Sequence, residues 1–341
     1  MLHFNCDYME GAHPAILEKL MATNFDQTVG YGMDEYTSAA KDKIRAACGT
    51  PDADVEFLVG GTQTNFTVIK SLLHVSEGVV CADSGHINVH ESGAVEATGH
   101  KVIALPSKQG KISGEQLRSY LSSFYGDPTY PHMAQPGMVY ISHPTEPGTL
   151  YSKAELQSLS SVCREYGIPL FLDGARLGYG LASPSTDVTL KDIASLCDVF
   201  YIGGTKVGAF FGEAVVVPDP SKIKNFFTVI KQSGALLAKG RILGIQFDVL
   251  FTDDLYFRIS KHAIDMAMKI RDGFLAKGYR PYMDSPTNQQ LFLLTDAQIA
   301  KISEYATFDE WGSDADGNKI IRFATSWATK EEDVDSLLSI I

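Results

Sequence analysis

The chain has 341 residues, of which 45% are hydrophobic and 21% are charged, proportions typical of a soluble globular protein long enough for two domains. Its formal net charge of −12 opposes nonspecific attraction to nucleic acid, and no stripe of Lys and Arg interleaved with aromatic residues overrides that charge. We therefore expect no nucleic-acid partner.

The cysteines and the N-terminus bear on the compartment. The 5 cysteines are scattered without a Cys-x-x-Cys pair, which argues against a disulfide framework or a thiolate metal site and favours a reducing cytoplasm. The first ten residues carry acidic side chains and no long apolar stretch, so they do not resemble a signal peptide. No apolar run approaches the roughly 18 residues that a membrane span needs. We expect a cytoplasmic protein with no membrane partner.

Short apolar runs alternate with segments of helical periodicity along most of the chain. The runs predict strands at 57–59, 79–82, 102–105, 138–142, 170–172 and 199–202. Segments between them, such as 64–74 and 153–166, have apolar residues at helical spacing, as crossover helices on a parallel sheet do. A later run at 214–217 is followed by Pro-Asp-Pro and predicts an antiparallel addition to the sheet.

The pattern changes after Phe251. A long helical stretch over 255–277 precedes apolar runs at 291–294 and 320–324 and a final helical stretch at 331–340. We predict an α/β protein with two domains. A large domain over residues 1–250, including the N-terminal segment, has a mostly parallel sheet, and a smaller α+β domain covers residues 251–341.

Asp173 and Lys206 each follow one of the predicted strands. In a parallel sheet the carboxyl ends of the strands face one crevice, so both side chains are expected in the same cavity. Pyridoxal 5'-phosphate needs an amine that holds it covalently and a carboxylate that keeps its ring nitrogen protonated. Taken singly, the acid also suits a turn or a helix N-cap and the lysine suits the surface. Together they predict a pyridoxal phosphate site.

Two further motifs follow strands at the same edge. Gly61 and Thr62 lie where a glycine turn meets a helix, and the free N–H groups of a helix start favour a phosphate, although an ordinary tight turn has the same residues. His86 could stack on the cofactor ring or move a proton, or it could be a solvent-exposed histidine. The spacing of His86, His90 and Glu91 also suits metal ligands, but no Glu lies between the histidines, and we predict no metal.

Arg176 and Arg322 are candidates for binding a substrate carboxylate. Arg176 lies three residues after Asp173, and Arg322 lies within an alternating apolar strand. A guanidinium can bind a carboxylate through two N–H groups, so a pair of arginines suits an amino-acid substrate. The alternative for each arginine is a surface salt bridge.

The motifs together resemble the threonine aldolase family, which includes the low-specificity L-threonine aldolases and lies within the beta-eliminating lyase group. Order and spacing match over almost the whole chain. The matching stretches are Tyr31-Gly32-Met33-Asp34, Gly61-Thr62-Gln63-Thr64-Asn65, Gly85-His86 with Glu91, Leu172-Asp173-Gly174-Ala175-Arg176, Thr205-Lys206 and Ile321-Arg322. The resemblance implies the aspartate-aminotransferase type of fold, fold type I, and a homodimer or homotetramer with active sites at a subunit interface.

The resemblance also implies roles for residues. Lys206 would hold the cofactor, Asp173 would pair with its ring nitrogen and His86 would stack on the ring. The phosphate would contact Gly61, Thr62 and Thr205, and the substrate carboxylate would contact Arg176 and Arg322. Tyr31 would reach into the site of a neighbouring subunit.

Three positions depart from the family pattern. Cys6 stands where many members have a serine that touches the substrate carboxylate, and a thiol is a weak donor. Glu146 replaces a histidine that follows the strand before Asp173. A phosphate contact from a partner subunit would have to come from Lys239 or Arg241. These changes indicate a divergent branch whose substrate can differ.

The expected reaction is retro-aldol cleavage of a β-hydroxy-L-amino acid, such as threonine or allo-threonine, to glycine and an aldehyde. His86, directly or through water, would take the proton of the β-hydroxyl group, and Glu146 is a second candidate base. Two other interpretations remain open. One is a different reaction with the same cofactor, namely β-elimination, racemisation or transamination. The other is a non-catalytic relative of the fold.

Overall fold

The computed structural model describes residues 1–314 and 316–341. The strands are β1 (Leu2–His3), β2 (Asp54–Leu58), β3 (Glu77–Ala82), β4 (Lys101–Leu105), β5 (Gln135–Ser142), β6 (Leu170–Asp173), β7 (Val199–Gly203), β8 (Glu213–Val217), β9 (Arg280–Pro281), β10 (Gln289–Leu294), β11 (Ala306–Thr307), β12 (Asp309–Ser313) and β13 (Lys319–Ala324). The helices are α1 (Pro14–Ala22), α2 (Glu35–Cys48), α3 (Gly61–Leu72), α4 (His86–Val89), α5 (Gly114–Gly126), α6 (Lys153–Tyr166), α7 (Leu177–Ala182), α8 (Leu190–Leu196), α9 (Phe226–Gln232), α10 (Arg241–Leu250), α11 (Leu255–Ala276), α12 (Asp296–Ser303) and α13 (Glu331–Ile340).

The largest sheet has the strand order β2-β8-β7-β6-β5-β3-β4. From β7 to β4 every neighbouring pair is parallel, which is the predicted arrangement. Strand β8 is antiparallel to both of its neighbours, as the run at 214–217 predicted. The first run, at 57–59, was expected to join the parallel series. Among the described residues, however, β2 is an edge strand whose one neighbour is β8, and the two strands are antiparallel. The reason is that β8 returns directly after β7 and occupies the position beside it.

Both faces of this sheet are covered. Along β7, Phe200 and Ile202 pack into one apolar cluster while Val199 and Tyr201 pack into another, because successive side chains of a strand point to opposite faces. A strand buried on both faces reads as a continuous apolar run, which explains why these strands were visible in the sequence. The crossover helices supply the covering layers. Helix α6 begins with a capping box at Ser152 and ends at Gly167, whose φ of 68° is left-handed.

The second sheet, β12-β13-β10-β9, is antiparallel and lies in the C-terminal part of the chain. Phe274 of α11 stacks on Phe292 of β10 with ring centroids 4.4 Å apart, and α13 packs against the same cluster through Val334 and Leu337. The two-domain division at residue 250 remains a prediction.

The N-terminal segment pairs with residues from this C-terminal part. Strand β1 is parallel to β11, and the Phe4 carbonyl accepts a 2.7 Å hydrogen bond from the backbone N–H of Ala324. The segment therefore reaches the same region as β10 and β13.

Within residues 1–314 and 316–341, no helix is both long and apolar enough to cross a bilayer.

Candidate functional site

A cavity of about 330 Å³ lies at the carboxyl ends of β5, β6 and β7, beside the start of α3. Its walls include Gly60, Gly61, Thr62, His86, Ser142, Glu146, Asp173, Arg176, Tyr201, Thr205, Lys206 and Glu213. A second cavity, of about 610 Å³, shares Tyr8, His86, Glu146, Arg176 and Lys206 with the first and adds His90, Asp309, Glu310, Trp311 and Arg322. The two cavities therefore form one region with a shared wall.

Most of the predicted site residues lie in these walls, but not all of them. Cys6, Tyr31, Lys239 and Arg241 are absent from the described residues that line either cavity. Tyr31 has a φ of 61° and an exposed ring 4.5 Å from Lys231 Nζ, and Arg241 binds the backbone oxygens of Asp26 and Asn24. All four residues are outside the cavity of their own chain.

The Asp173 carboxyl accepts four hydrogen bonds. Oδ2 accepts from Asn65 Nδ2 at 3.0 Å and from the Tyr140 hydroxyl at 2.6 Å. Oδ1 accepts from the Tyr201 hydroxyl at 2.5 Å and from the backbone N–H of Ala175 at 3.0 Å. These donors come from α3, β5, β7 and the turn after β6, so the carboxyl is held rigidly at the end of its strand.

A buried polar chain connects Asp173 to His86. Asn65 Nδ2 also donates to Glu91 Oε1 at 2.7 Å, and the same oxygen lies 2.7 Å from His86 Nδ1. Burial alone would lower the pKa of His86, but the hydrogen bond to Glu91 and the charges of Asp173 and Glu91 raise it above its ordinary value. Because Nδ1 is engaged with a carboxylate, Nε2 is the ring nitrogen that can exchange a proton with the cavity.

Glu146 lies beside His86 in the wall that both cavities share. Its Oε1 accepts from the Ser142 hydroxyl at 2.6 Å and from the backbone N–H of His86 at 2.9 Å. Burial raises the pKa of this carboxyl, and the negative charge of Asp173 adds to the shift. A carboxyl whose pKa is raised accepts a proton more readily than an ordinary one.

Lys206 lies in the connection between β7 and β8 and lines both cavities. Burial and the neighbouring positive charge of Arg176 lower the pKa of its amine. A lower pKa leaves more of the amine unprotonated, which is the nucleophilic form. Its Nζ lies 5.9 Å from the centre of the Tyr8 ring.

Arg176 is paired with Asp7, which the sequence did not reveal. Nε and one Nη contact the two carboxylate oxygens at 2.7 and 2.9 Å, and Asn288 donates to the same carboxylate at 2.9 Å. Burial would raise the pKa of Asp7, but the positive charges of Arg176 and Lys206 hold it well below its usual range. A guanidinium has five N–H groups, so three remain on Arg176 for another acceptor.

Arg322 is more fully engaged. Its Nη atoms donate to Gln289 Oε1, to the Asn5 carbonyl and to Asp309 at 2.8, 3.0 and 2.8 Å, and the guanidinium lies 4.9 Å from the Trp311 ring centre. Its buried Nε has no hydrogen-bond partner in the part of the chain that the structure describes. Three of the five N–H groups of Arg322 are used in these contacts, so two remain, one of them on the buried Nε.

The start of α3 is open toward the cavity. Gly60 is the N-cap, with an extended backbone (φ −168°, ψ 166°), and no side chain caps the first turn. A Cβ atom added at Gly60 would meet nothing within 4 Å. The N–H groups of this first turn have no acceptor within the helix, so they can bind an anion.

Three residues of the site had no recognisable sequence signal: Asp7, Tyr140 and Tyr201 act through contacts with residues more than 25 positions away. Asn65 lies in one of the stretches that match the family, but its contact with Asp173 is visible only in the structure. Glu213 does carry a weak signal, since it is an acid at the start of an apolar run, but its role is visible only from its contacts. Within the described chain, no group of three or more His, Cys, Asp or Glu side chains is arranged to hold a metal ion.

Comparisons with known proteins agree with this geometry. The sequence profile described as Beta-eliminating lyase matches residues 4–290. A low specificity L-threonine aldolase of a Pseudomonas species is 31% identical over 265 residues, which cover 76% of this chain and 74% of that protein. A solved threonine aldolase of Leishmania major is 42% identical, with a TM-score of 0.96 over 100% of this chain and 98% of that one.

Aspartate aminotransferase of Thermus thermophilus has the same fold, with a TM-score of 0.73 at 16% identity over 99% of this chain and 90% of that one. The fold and the site thus define a fold type I protein whose cofactor is pyridoxal 5'-phosphate. The chain belongs to the beta-eliminating lyase family and, within it, to the threonine aldolases.

The residues present fit that cofactor. The first cavity is lined by the uncapped helix start, which suits a phosphate, and by an amine and a rigid carboxylate, Lys206 and Asp173. Arg176 lines both cavities, and Arg322, whose buried Nε has no partner among the described residues, lines the second. This set of groups suits a phosphorylated pyridine that carries an amino acid.

Proposed function

We propose that this protein cleaves threonine-like β-hydroxy-L-amino acids to glycine and an aldehyde, with pyridoxal 5'-phosphate as its cofactor. The observation that carries the proposal is the shared wall of the two cavities, where Lys206 and Arg176 lie with His86 and Glu146. An amine, a carboxylate-binding group and two candidate bases thus face one space. The aldolases of Pseudomonas and Leishmania support the same reaction class.

Within this proposal, the cofactor would be held by residues of the cavity wall. Lys206 would supply the amine that bonds to it, Asp173 would pair with its ring nitrogen and His86 would pack on its ring. Gly61, Thr62 and Thr205 would bind the phosphate. When bound, the cofactor supplies an electron sink for the electron pair left at Cα when the Cα–Cβ bond breaks.

Arg176 and Arg322 bind the substrate carboxylate and so orient the amino acid. Between them they keep five N–H groups that internal partners do not use, since two of ten contact Asp7 and three contact Gln289, Asn5 and Asp309. A fixed carboxylate leaves rotation about Cα as the main remaining freedom of the substrate. Binding of the carboxylate by the two arginines therefore determines which bond to Cα is broken.

Removal of the β-hydroxyl proton belongs to the Glu146 and His86 pair. Neutral His86 accepts a proton at Nε2, because its Nδ1 is engaged with Glu91. Glu146 accepts one at its carboxylate, whose raised pKa makes it a better base than an exposed glutamate. The backbone contact between the two residues keeps both groups on the same side of the cavity.

Two further parts of the proposal concern assembly and location. We place the protein in the cytoplasm, which agrees with its five free cysteines. We also propose a homodimer or homotetramer with shared active sites. Tyr31, exposed and outside the cavity of its own chain, supports that arrangement.

The test is product analysis with purified protein and added cofactor. Threonine, allo-threonine, serine and phenylserine are supplied in turn, and glycine, aldehyde, 2-oxo acid and ammonia are measured. We expect glycine and aldehyde in equal amounts, and no glycine from Lys206→Ala, with Lys301→Ala on exposed α12 as the matched control. Formation of a 2-oxo acid and ammonia without glycine would instead identify β-elimination, and no turnover of any amino acid would identify a non-catalytic relative.

A further inference from the structure

Glu213 is a buried carboxyl in the cavity wall to which the proposed reaction gives no part. It is 3% exposed and begins β8, where it pairs with Leu58 of β2 on one side and Gly203 of β7 on the other. The first of these strands leads to the glycine turn and the second leads to Lys206. Glu213 thus lies between the two segments that surround the proposed phosphate site.

The contacts of Glu213 go to the segment that carries Thr205. Oε2 accepts from the backbone N–H of Gly204 at 3.1 Å, and Oε1 lies 2.8 Å from Thr205 Oγ1. The Thr205 hydroxyl also accepts from the backbone N–H of Gly212 at 3.0 Å. Thr205 and Glu213 both line the cavity, so a change in the hydrogen bond between them can alter what Thr205 offers to an anion bound there.

The protonation state of Glu213 determines whether the Thr205 hydroxyl can donate a hydrogen bond into the cavity. A hydroxyl has one proton and two lone pairs. When Glu213 is ionised, the Thr205 proton is donated to Oε1, and none is left for the cavity. When Glu213 carries a proton on Oε1, it donates to Thr205, whose lone pairs then serve Glu213 and Gly212. The hydrogen of the Thr205 hydroxyl is then available for a hydrogen bond to an acceptor in the cavity.

The surroundings of Glu213 favour the protonated form. Four titratable groups face it from three neighbouring elements and a loop: Asp173 from β6, Tyr201 from β7, Tyr256 from α11 and Lys206 from the β7–β8 connection. Burial raises the pKa of Glu213 to about 8 and Asp173 adds to the shift, while the hydrogen bonds from Thr205 and Gly204 and the positive charge of Lys206 oppose it. A phosphate dianion in the cavity would add negative charge and favour the protonated form further.

We propose that Glu213 is a positioning residue for the cofactor phosphate, whose protonated carboxyl donates to Thr205 and thereby makes the Thr205 hydroxyl a phosphate donor. The inference rests on the proposed site, in which Thr205 contacts the phosphate. It implies that the cofactor binds together with a proton from solvent when Glu213 starts ionised. Glu213→Gln imitates the protonated acid, since its amide donates to Thr205 and its carbonyl accepts from Gly204.

The test is the Kd of pyridoxal 5'-phosphate for the apoprotein, measured by fluorescence titration on both sides of the Glu213 pKa of about 8. Well below that pH, wild type and Glu213→Gln are expected to bind equally. Above it, the wild-type Kd is expected to rise relative to the variant by up to about tenfold per pH unit, because one proton is taken up on binding. Pyridoxal, which lacks the phosphate, is expected to show no such divergence.

Thr205 variants provide an independent measurement, also if Glu213→Gln does not fold. Thr205→Val removes the donor, so its Kd is expected to exceed the wild-type value most at low pH and to approach it at high pH. Thr205→Ser keeps the hydroxyl and should behave as wild type. If the Kd of Glu213→Gln and that of Thr205→Val each kept a constant ratio to the wild-type Kd at every pH, the role of Glu213 would be overturned, but the proposed site would not. Failure of wild type to bind the cofactor at any pH would overturn the proposed site as well.

Discussion

The Asp7 carboxylate lies under Arg176 with no exposed side-chain surface, and its partner is only 14% exposed. Removing one member of such a pair leaves an uncompensated buried charge, so we expect Asp7→Ala to lower the free energy of unfolding by about 3–5 kcal/mol. Urea unfolding of the apoprotein measures this loss. Glu165→Ala, which breaks the half-exposed pair with Arg118, is the control and should cost less than about 1 kcal/mol.

The same ion pair predicts a pH dependence. Because the pKa of Asp7 is lowered by folding, its contribution is fully present above the ordinary aspartate pKa and is lost as the pH falls toward the lowered value. The difference in stability between wild type and Asp7→Ala should therefore shrink in acid. A difference that stays constant down to the acid transition would contradict the assignment.

Substitution of a carboxylate-binding arginine is expected to affect KM and kcat differently from substitution of a candidate base. Replacing Arg322 by Gln removes a charged hydrogen bond to the substrate carboxylate, and one such bond is worth about 1.5–3 kcal/mol. We expect KM to rise about 10- to 100-fold with a smaller change in kcat. Glu146→Gln, by contrast, should lower kcat more than it raises KM. An unchanged KM for Arg322→Gln would remove Arg322 from the substrate site.

At the scale of residues, the sequence predicted the site residues that follow apolar strands, and also His86, Arg176 and Arg322, which line the two cavities. Asp173, Lys206 and the Gly61-Thr62 turn were predictable because a parallel sheet brings the carboxyl ends of its strands together. Asp7 was not, since its partner lies 169 residues away and nothing near it in sequence indicates an ion pair. Cys6 stands where the family pattern has a serine that touches the substrate, yet it lies outside the described walls of both cavities.

At the scale of elements, the uncapped start of α3 has a testable consequence. Gly60→Ser supplies an N-cap hydroxyl at a position where a Cβ meets nothing within 4 Å, so it should stabilise the apoprotein slightly, by a few tenths of a kcal/mol. The new hydroxyl competes for the N–H groups proposed for the phosphate, so cofactor affinity should fall. Thermal unfolding and cofactor titration measure the two effects.

Pyridoxal is the control for this variant, because it lacks the phosphate and its affinity should not change. A Gly60→Ser protein that binds the phosphorylated cofactor as tightly as wild type would place the phosphate elsewhere.

The elements themselves were largely predictable. The buried strands appear as apolar runs, and α6 was predicted from the helical spacing of its apolar residues. In the structure a capping box and a left-handed glycine mark its two ends. The pairing of β2 was not predictable, since its antiparallel partner β8 is separated from it by five other strands in the chain. Hydrophobic pattern identifies a strand, but the choice of its neighbour depends on the whole sheet.

At the scale of the whole molecule, the proposed sharing of active sites can be tested by complementation. Tyr31→Ala and Lys206→Ala subunits should each be inactive alone. Co-expressed as dimers, they should recover about one quarter of wild-type activity, because half of the dimers are hybrids with one intact site of two. Hybrids that form but remain inactive would show that Tyr31 does not act in a neighbour's site.

The N-terminal segment has a consequence for how the protein is made. Leu2 and Phe4 donate to backbone oxygens of Tyr305 and Thr307, and the Asn5 carbonyl binds Arg322. These contacts can therefore form only when nearly all of residues 1–341 have been synthesised. Such a segment can pair only after translation, when the last strands are available. Carboxylate recognition should thus be the final property that a newly made chain acquires, after the main sheet is complete.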